Sequence, residues 1–327
     1  MEDIINHFGI GTARDSGMIE VVVRDITLVA EGVAALTLQD PTGLPLPLWT
    51  PGAHIDVTLP GGLVRQYSLC GKPEDQASWR IAVLRQPEGR GGSEQVHQLA
   101  AGDRLTVSAP RNNFALVDAG RYLFIAGGIG ITPILPMLHQ VAASGKPWTL
   151  LYGGRTRASM AYLDEIALLD PDAAQIVPQD EFGLLDLPRY LDAPCNQTAI
   201  YCCGPAPLID AVEAKCQHWP KGALHRERFE AREKPALPEG AFEVELARSG
   251  QRLVVPPHTS LLQVLEEAGH KITNSCRAGI CGTCLVKVLA GTPQHNDDVL
   301  SDAEREAGQS MLVCVSRAQS GRLVLDI

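Results

Sequence analysis

The chain has 327 residues, of which 45% are hydrophobic and 20% charged, and it carries a formal net charge of −10. This length exceeds one ordinary core and leads us to expect two or three globular domains. The negative balance excludes nucleic acid as the natural partner, and no run approaches the roughly 18 apolar residues of a membrane span.

Residues 1–17 carry acidic residues and lack the basic flank and apolar core of a secretory signal, so they read as a loose or docking tail. Residues 18–117 read as an all-β module. Apolar or alternating runs fall at 21–23, 33–38, 54–59, 65–69, 79–84 and 104–107, separated by turns such as Pro51-Gly52 and Pro60-Gly61-Gly62. Runs this closely spaced predict a small antiparallel β-barrel. One helix over 93–99 interrupts them, with Ser93 as its N-cap. Arg65-Gln66-Tyr67-Ser68 ends a barrel strand. A tyrosine ring can pack on a flavin face, an arginine can hold phosphate with a fork of donors, and Ser68 can bond the ring's polar edge. The pattern is also common in plain strands. Gly89-Arg90-Gly91-Gly92-Ser93 opens the helix and is either a surface loop or an anion site of exposed N–H groups. Both in one β module favour a flavin phosphate.

Over 118–230 the rhythm changes to strand–helix alternation. Strands are expected at 122–126, 148–152, 175–177 and 198–203, and helices at 133–143, 160–169 and 208–218. This is the pattern of a doubly wound parallel α/β domain. Gly127-Gly128-Ile129-Gly130-Ile131-Thr132-Pro133 sits between strand and helix, where small residues let the backbone approach a pyrophosphate. It departs from the G-x-G-x-x-G fingerprint, and a close-packed turn is the plainer reading. Cys202-Cys203-Gly204-Pro205 closes a later strand at the same sheet edge. There Cys203 can meet a nicotinamide or serve as a small buried hydrophobe. Tyr152-Gly153-Gly154-Arg155-Thr156-Arg157 follows the strand where an adenosine ribose would bind. Two arginines there suit a 2′-phosphate or surface ion pairs equally.

Residues 231–240 are rich in proline and charge and read as a linker. The remaining unit, 241–327, holds Cys276, Cys281 and Cys284 at C-x4-C-x2-C, with Cys314 after 29 further residues. That is plant-type [2Fe–2S] spacing. Gly279 and Gly282 fall where a tight loop needs positive φ and N–H groups aimed at sulfur. A structural zinc site on Cys281 and Cys284 is the rival, although zinc usually pairs two short hairpins. Nine cysteines, an odd number, do not resemble a disulfide framework and fit the reducing cytoplasm. Asp297, Asp298, Asp302, Glu304 and Glu306 form either a solvated helix start, with Ser301 and Glu304 as a capping box, or a docking face.

The R-x-Y-S, G-G-x-G-I-T-P and C-G-P motifs, in this order, resemble the ferredoxin–NADP reductase superfamily. With a C-terminal plant-type cluster, residues 18–327 resemble the phthalate dioxygenase reductase family. The resemblance implies an antiparallel β-barrel flavin domain, a doubly wound α/β nucleotide domain and an α+β, β-grasp ferredoxin domain. It implies FMN, a [2Fe–2S] cluster and NADH, and a terminal Rieske-type oxygenase as partner. It places Arg65, Tyr67 and Ser68 on the flavin motif and Gly91, Gly92 and Ser93 on the FMN phosphate loop. Gly128, Gly130, Thr132 and Pro133 fall on the nucleotide loop, and Cys203, Gly204 and Pro205 on its partner. Phe229, in Glu227-Arg228-Phe229, falls in the segment whose aromatic ring lies near the flavin. Cys276, Cys281, Cys284 and Cys314 fall on the cluster ligands.

The expected function is therefore a cytoplasmic, monomeric reductase that passes electrons from NADH through FMN and [2Fe–2S], one at a time, to the oxygenase. Arg155 keeps NADPH open as the donor. The rivals are an FAD- and NADPH-dependent reductase of a P450 or separate ferredoxin, and a non-enzymatic carrier or redox-sensing module.

Overall fold

The alternating runs of the first module become six strands: β1 (Met18–Ala30), β2 (Val33–Gln39), β3 (His54–Thr58), β4 (Val64–Ser68), β5 (Trp79–Leu84) and β6 (Arg104–Ser108). The computed structural model describes residues 17–232 and 240–327. Apart from Gly17, Ala231, Arg232 and Gly240, the expected tail and linker lie outside the described residues. The six strands form one antiparallel sheet in the order β4-β3-β6-β1-β2-β5. A bridge from Leu69, just past β4, to Ile81 of β5 closes it into a barrel. Inward positions are apolar and buried, including Val21, Val23, Leu36, Leu38, Ile55, Val57, Trp79 and Ile81. The strand β1 is far longer than the apolar run 21–23, because it continues through Arg24-Asp25 with two register shifts against β2. The helix α1 (Gly92–His97) is capped by Gly91 in the left-handed region (φ 78°), not by Ser93. The Ser93 hydroxyl instead accepts from the Gln86 N–H at 3.0 Å.

The second unit alternates β7 (Arg121–Gly127), α2 (Ile131–Ser144), β8 (Trp148–Gly154), α3 (Leu163–Ala167), β9 (Ala174–Pro178), α4 (Gln179–Phe182) and α5 (Leu187–Leu191). It then continues with β10 (Thr198–Cys203), α6 (Ala206–Lys215) and β11 (Leu224–Glu227). All five strands are parallel, in the order β11-β10-β7-β8-β9. The chain winds one way from β7 to β9 and the other way to β11. The carboxyl ends of β7 and β10 therefore flank the crevice where such sheets bind ligands. The helix expected over 160–169 is shorter because Tyr162 takes φ 65° at its start. One face of the sheet packs Phe124, Tyr152 and Tyr201 against α2 and against Val33, Ala35 and Ala82 of the barrel. The other buries Ile125, Leu151 and Ile200 against Leu187, Ile209 and Trp219. Barrel and α/β unit thus share one core.

The last unit has strands β12 (Phe242–Leu246), β13 (Arg252–Val255), β14 (Leu285–Ala290), β15 (Pro293–Gln294), β16 (Ser310–Leu312), β17 (Arg317–Ala318) and β18 (Arg322–Leu325). Its helices are α7 (Leu261–Glu267) and α8 (Asp302–Ala307). The main sheet runs β13-β12-β18-β14-β16, with β12 and β18 parallel and the other pairs antiparallel. Leu261, Leu262 and Leu265 of α7 join Val244, Leu246, Leu323 and Leu325 in a separate core. This is the β-grasp arrangement, and the chain is the three-part structure expected from its motifs. Arg317, buried without a carboxylate among the described residues, donates to the carbonyls of Gly240, Pro256 and Thr259 and lies over the Phe242 ring.

Candidate functional site

Two glycine-bearing turns meet at the crevice. The turn after β7 presses so closely on the turn after β10 that side chains are excluded. A Cβ on Gly130 would stand 2.2 Å from the Cys203 carbonyl oxygen. One on Gly127 would stand 2.7 Å from the Pro205 ring, and one on Gly204 would stand 3.0 Å from the Gly127 backbone. Gly128 has φ +53° with open space beside it. Thr132 is buried and spends its hydroxyl on the Ile129 carbonyl, 2.9 Å away. Pro133, also buried, lies in the first turn of α2. The result is a backbone-walled cradle at a strand-to-helix turn, open beside Gly128, which suits a pyrophosphate.

The barrel supplies the next wall. The Arg65 side chain lies against Gly92, where an added Cβ would meet it at 2.6 Å. Its guanidinium donates to the carbonyls of Val64 and Arg90, and no carboxylate is paired with it among the described residues. Burial, then the like charge of Arg90, hold its pKa below the usual range. An unpaired cation beside Gly91, Gly92 and Ser93 fits a phosphate. Tyr67 packs on the barrel core, and burial pushes its phenol up to about 12, so it stays neutral.

Ser68, Cys203 and Glu227 converge where barrel meets α/β sheet. Cys203 and Glu227 are register partners on β10 and β11. Ser68 pairs with His54 across β3 and β4. Burial raises Glu227 to about 8, with the Ser68 hydroxyl offsetting part of the rise. Burial and then the Glu227 carboxyl push the Cys203 thiol well up, so it is neutral as well. Neither Glu227 nor His54 was picked out as a site residue from the sequence. A histidine opening the apolar run 54–59 was the available signal for His54, and the composition around Glu227 offered none. Phe229 lies two residues past β11 and is 39% exposed, with no ring contact recorded among the described residues.

The arginines after β8 separate in role. Arg157 pairs with Glu181 at 3.5 Å. Arg155 is exposed, has no ion pair among the described residues, and only its carbonyl is engaged, accepting from the Asp180 N–H.

In the last unit Cys276 and Cys281 lie near enough to perturb each other's thiols, as do Cys284 and Cys314. Among the described residues no three ligand side chains converge on a single ion. Three thiols on one tight loop, with Cys314 beside them, supply the four that a two-iron centre takes. The Ala278 N–H donates to the Cys276 sulfur at 3.3 Å. Gly279 and Gly282 have φ of 74° and 75°, as a loop wrapping its ligands requires. Asn113 of the barrel connection donates to the Cys281 carbonyl at 3.1 Å.

Much of the acidic stretch is spent internally. Asp297 is buried and accepts from the N–H groups of Val299 and Leu300. Asp298 pairs with Arg232, and Glu306 with Lys221. Ser301 and Glu304 form the full capping box of α8. Cap and latch, rather than a free docking face, account for most of these carboxylates.

Comparison with known proteins follows the same division. A 2Fe-2S iron-sulfur cluster binding domain matches residues 244–319, and an oxidoreductase NAD-binding domain matches 124–182. The phthalate 4,5-dioxygenase oxygenase reductase subunit of Pseudomonas putida is 38% identical over 321 residues, covering 96% of this chain and 98% of that protein. The solved structure of phthalate dioxygenase reductase, described as modular for electron transfer from pyridine nucleotides to [2Fe–2S], is 36% identical with a TM-score of 0.69. It covers 96% of this chain and 99% of its own. An intact type IV self-sufficient cytochrome P450 monooxygenase is 41% identical with a TM-score of 0.91 over 95% of this chain. This chain spans only 41% of that longer one.

Proposed function

This chain belongs to the phthalate dioxygenase reductase family, and on that premise we propose that it is the reductase component of a Rieske-type aromatic-ring or related oxygenase system. It is an NAD(P)H-dependent flavin iron–sulfur oxidoreductase whose cofactors are FMN, a [2Fe–2S] cluster and NADH. One observation carries the reading. Cys203 of the nucleotide cradle is the register partner of Glu227, whose carboxyl meets Ser68 of the flavin motif, and Asn113 of the barrel connection reaches the cysteine loop.

When bound, these groups supply hydride acceptance and release of electrons one at a time. The chain's residues bind, orient and insulate. Arg65, with Gly91, Gly92 and Ser93, holds the FMN phosphate, while Tyr67 and Ser68 hold the ring. Gly128, Gly130, Thr132 and Pro133, with Gly204 and Pro205, admit the dinucleotide close to the backbone and orient it. Cys203 walls the nicotinamide subsite as a neutral thiol. Burial raises Glu227 to about 8, so at neutral pH it stands in the site mainly as a neutral carboxyl group able to donate a hydrogen bond. Phe229, exposed at the rim two residues past β11, would lie near the flavin. Cys276, Cys281, Cys284 and Cys314 hold the cluster. Arg155 is the residue free to accept a 2′-phosphate.

We divide the chain into a tail at 1–17, an FMN domain at 18–117, a nucleotide domain at 118–230, a linker at 231–240 and a ferredoxin domain at 241–327. We place the protein in the cytoplasm as a monomer that meets its oxygenase transiently. No two of the nine cysteines are joined in a disulfide, which suits a reducing compartment, and no helix among the described residues is long and apolar enough to cross a membrane.

The reading is tested with Cys314→Ser. NADH should still bleach the flavin of the variant, while electron delivery to cytochrome c or to a Rieske oxygenase falls to background. Full delivery by the variant would remove the cluster from the path. The P450-containing relative supports a second acceptor class, so a P450 domain belongs beside the Rieske protein in that assay.

A further inference from the structure

Asn113 lies in the connection between β6 and β7, and its side chain leaves the barrel to reach the cysteine loop. Its Nδ2 donates to the Cys281 carbonyl oxygen at 3.1 Å. The same nitrogen closes the space beside the next residue, since a Cβ on Gly282 would stand 2.8 Å from it.

The backbone on either side of Asn113 is pinned to the barrel. Asn112 Nδ2 donates to Thr50 Oγ1 at 2.7 Å and to the Pro51 carbonyl at 2.9 Å, while its Oδ1 accepts from the Phe114 N–H. The Phe114 carbonyl sits 2.0 Å from where a Gly52 Cβ would be. Arg111 exchanges backbone hydrogen bonds with His54 and pairs with Asp56 at 2.8 Å. Asn113 is therefore a short side chain on a fixed support.

Among the described residues, two ion pairs to the last unit, one from the nucleotide domain and one from the start of the linker, are of a different kind. Arg232 pairs with Asp298 at 3.3 Å and Lys221 with Glu306 at 3.0 Å. Lys221 and Glu306 are exposed, and pairs of that kind are weak and screened by salt. Units that meet over small polar interfaces move relative to one another by default. A neutral, directional bond to a peptide between two cysteines restrains that motion where it matters.

We propose that Asn113 is a positioning residue for electron transfer from flavin to cluster: it fixes the Cys281–Gly282 peptide, and the cysteine loop with it, against the flavin-binding barrel. This rests on the reductase reading above. Electron transfer rates fall steeply with separation, so a loop docked for a smaller fraction of the time passes electrons more slowly. Hydride transfer at the nicotinamide does not depend on that docking.

The test uses Asn113→Ala and the near-isosteric Asn113→Asp, purified as holoproteins with measured flavin and iron content. Each is mixed anaerobically with NADH, and flavin and cluster bleaching are followed separately. Flavin bleaching should keep its wild-type rate, while cluster bleaching slows about fivefold or more, the population change expected from losing one net hydrogen bond. Hydrogen–deuterium exchange in residues 276–284 should rise in both variants, a readout independent of turnover. Wild-type cluster bleaching and exchange in both variants would overturn the proposal. So would equal slowing of flavin bleaching, which would make Asn113 a support of the barrel alone, or loss of the cluster from both, which would make it an assembly residue. Failure of the reductase reading is separable, because it would appear as an unbleached cluster in the wild type.

Discussion

Glu227 Oε1 lies 3.9 Å from His54 Nδ1, at the junction of barrel and nucleotide sheet, and neither His54 ring nitrogen has a hydrogen-bond partner among the described residues. Burial, then Arg111, holds His54 down to about 3, and burial raises Glu227 to about 8. At neutral pH the pair is a neutral imidazole beside a protonated carboxyl group. Two groups that would ordinarily attract as ions are instead kept uncharged by the dry site they share.

The pair makes opposite contributions to the pH dependence of stability. Glu227 ionises near 4.5 when unfolded and keeps its proton to about 8 when folded, so stability falls as pH rises through that window. His54 stays neutral when folded but charges below 6.5 when unfolded, so stability rises from about pH 3 to 6.5. Glu227→Gln removes the first contribution only. Its melting temperature should gain on the wild type by several degrees between about pH 5 and about pH 8. Parallel melting curves across that range would mean that Glu227 is ionised in the folded protein.

Gly130→Ala drives a methyl group into the Cys203 carbonyl, where only 2.2 Å is available. Moving that backbone costs roughly 1–3 kcal/mol of local strain and shifts both turns of the cradle. The variant should retain FMN and cluster but show a KM for NADH raised by about tenfold or more. A wild-type KM would place the dinucleotide elsewhere.

Arg65→Ala removes the unpaired guanidinium beside Gly92. Charged hydrogen bonds to phosphate contribute about 1.5–3 kcal/mol, so FMN should bind roughly 10- to 100-fold more weakly. Free riboflavin, which lacks the phosphate, should bind wild type and variant alike. Equal weakening of both ligands would assign Arg65 to the ring.

Arg155→Ala should raise the KM for NADPH by about tenfold while leaving that for NADH unchanged, because only the former carries the 2′-phosphate. Arg157→Ala should change neither by more than about twofold, since that arginine is already paired with Glu181. Equal effects of both substitutions on both nucleotides would remove Arg155 from the ribose site.

Arg317→Met leaves the carbonyls of Gly240, Pro256 and Thr259 without their donor inside the ferredoxin domain. Orphaned buried acceptors cost on the order of 1–3 kcal/mol each when no water replaces the donor. The variant should lose its visible cluster spectrum at a lower temperature than the wild type while its flavin spectrum melts unchanged. Coincident loss of both signals would mean that the domains unfold as one unit.

Most of the architecture was legible because local pattern and global packing agree. Alternation over 33–38 and 79–84 became β2 and β5, and the continuous apolar run before Gly127 became the buried strand β7. The strand β11, Leu-His-Arg-Glu, was not legible, because its register with β10 and not its own composition makes it a strand. The glycines of the cradle were readable from residue type. That Gly130 abuts Cys203 was not, since the two lie 73 positions apart in the chain and meet only through the sheet order. The same holds for His54 with Glu227 and for Asn113 with Cys281, in which single polar residues gain meaning from a neighbour that no spacing rule supplies. The acidic stretch 297–306 misled in a different way, because charge alone does not reveal which carboxylates cap and which bridge.

The central claim is that one chain carries electrons from nicotinamide through flavin to a [2Fe–2S] centre. Anaerobic titration of the purified holoprotein with NADH, followed by visible absorbance and low-temperature EPR, tests it most directly. The account predicts bleaching of the flavin together with a rhombic signal of one reduced [2Fe–2S] cluster per chain. A bleached flavin with a silent, oxidised cluster would contradict it.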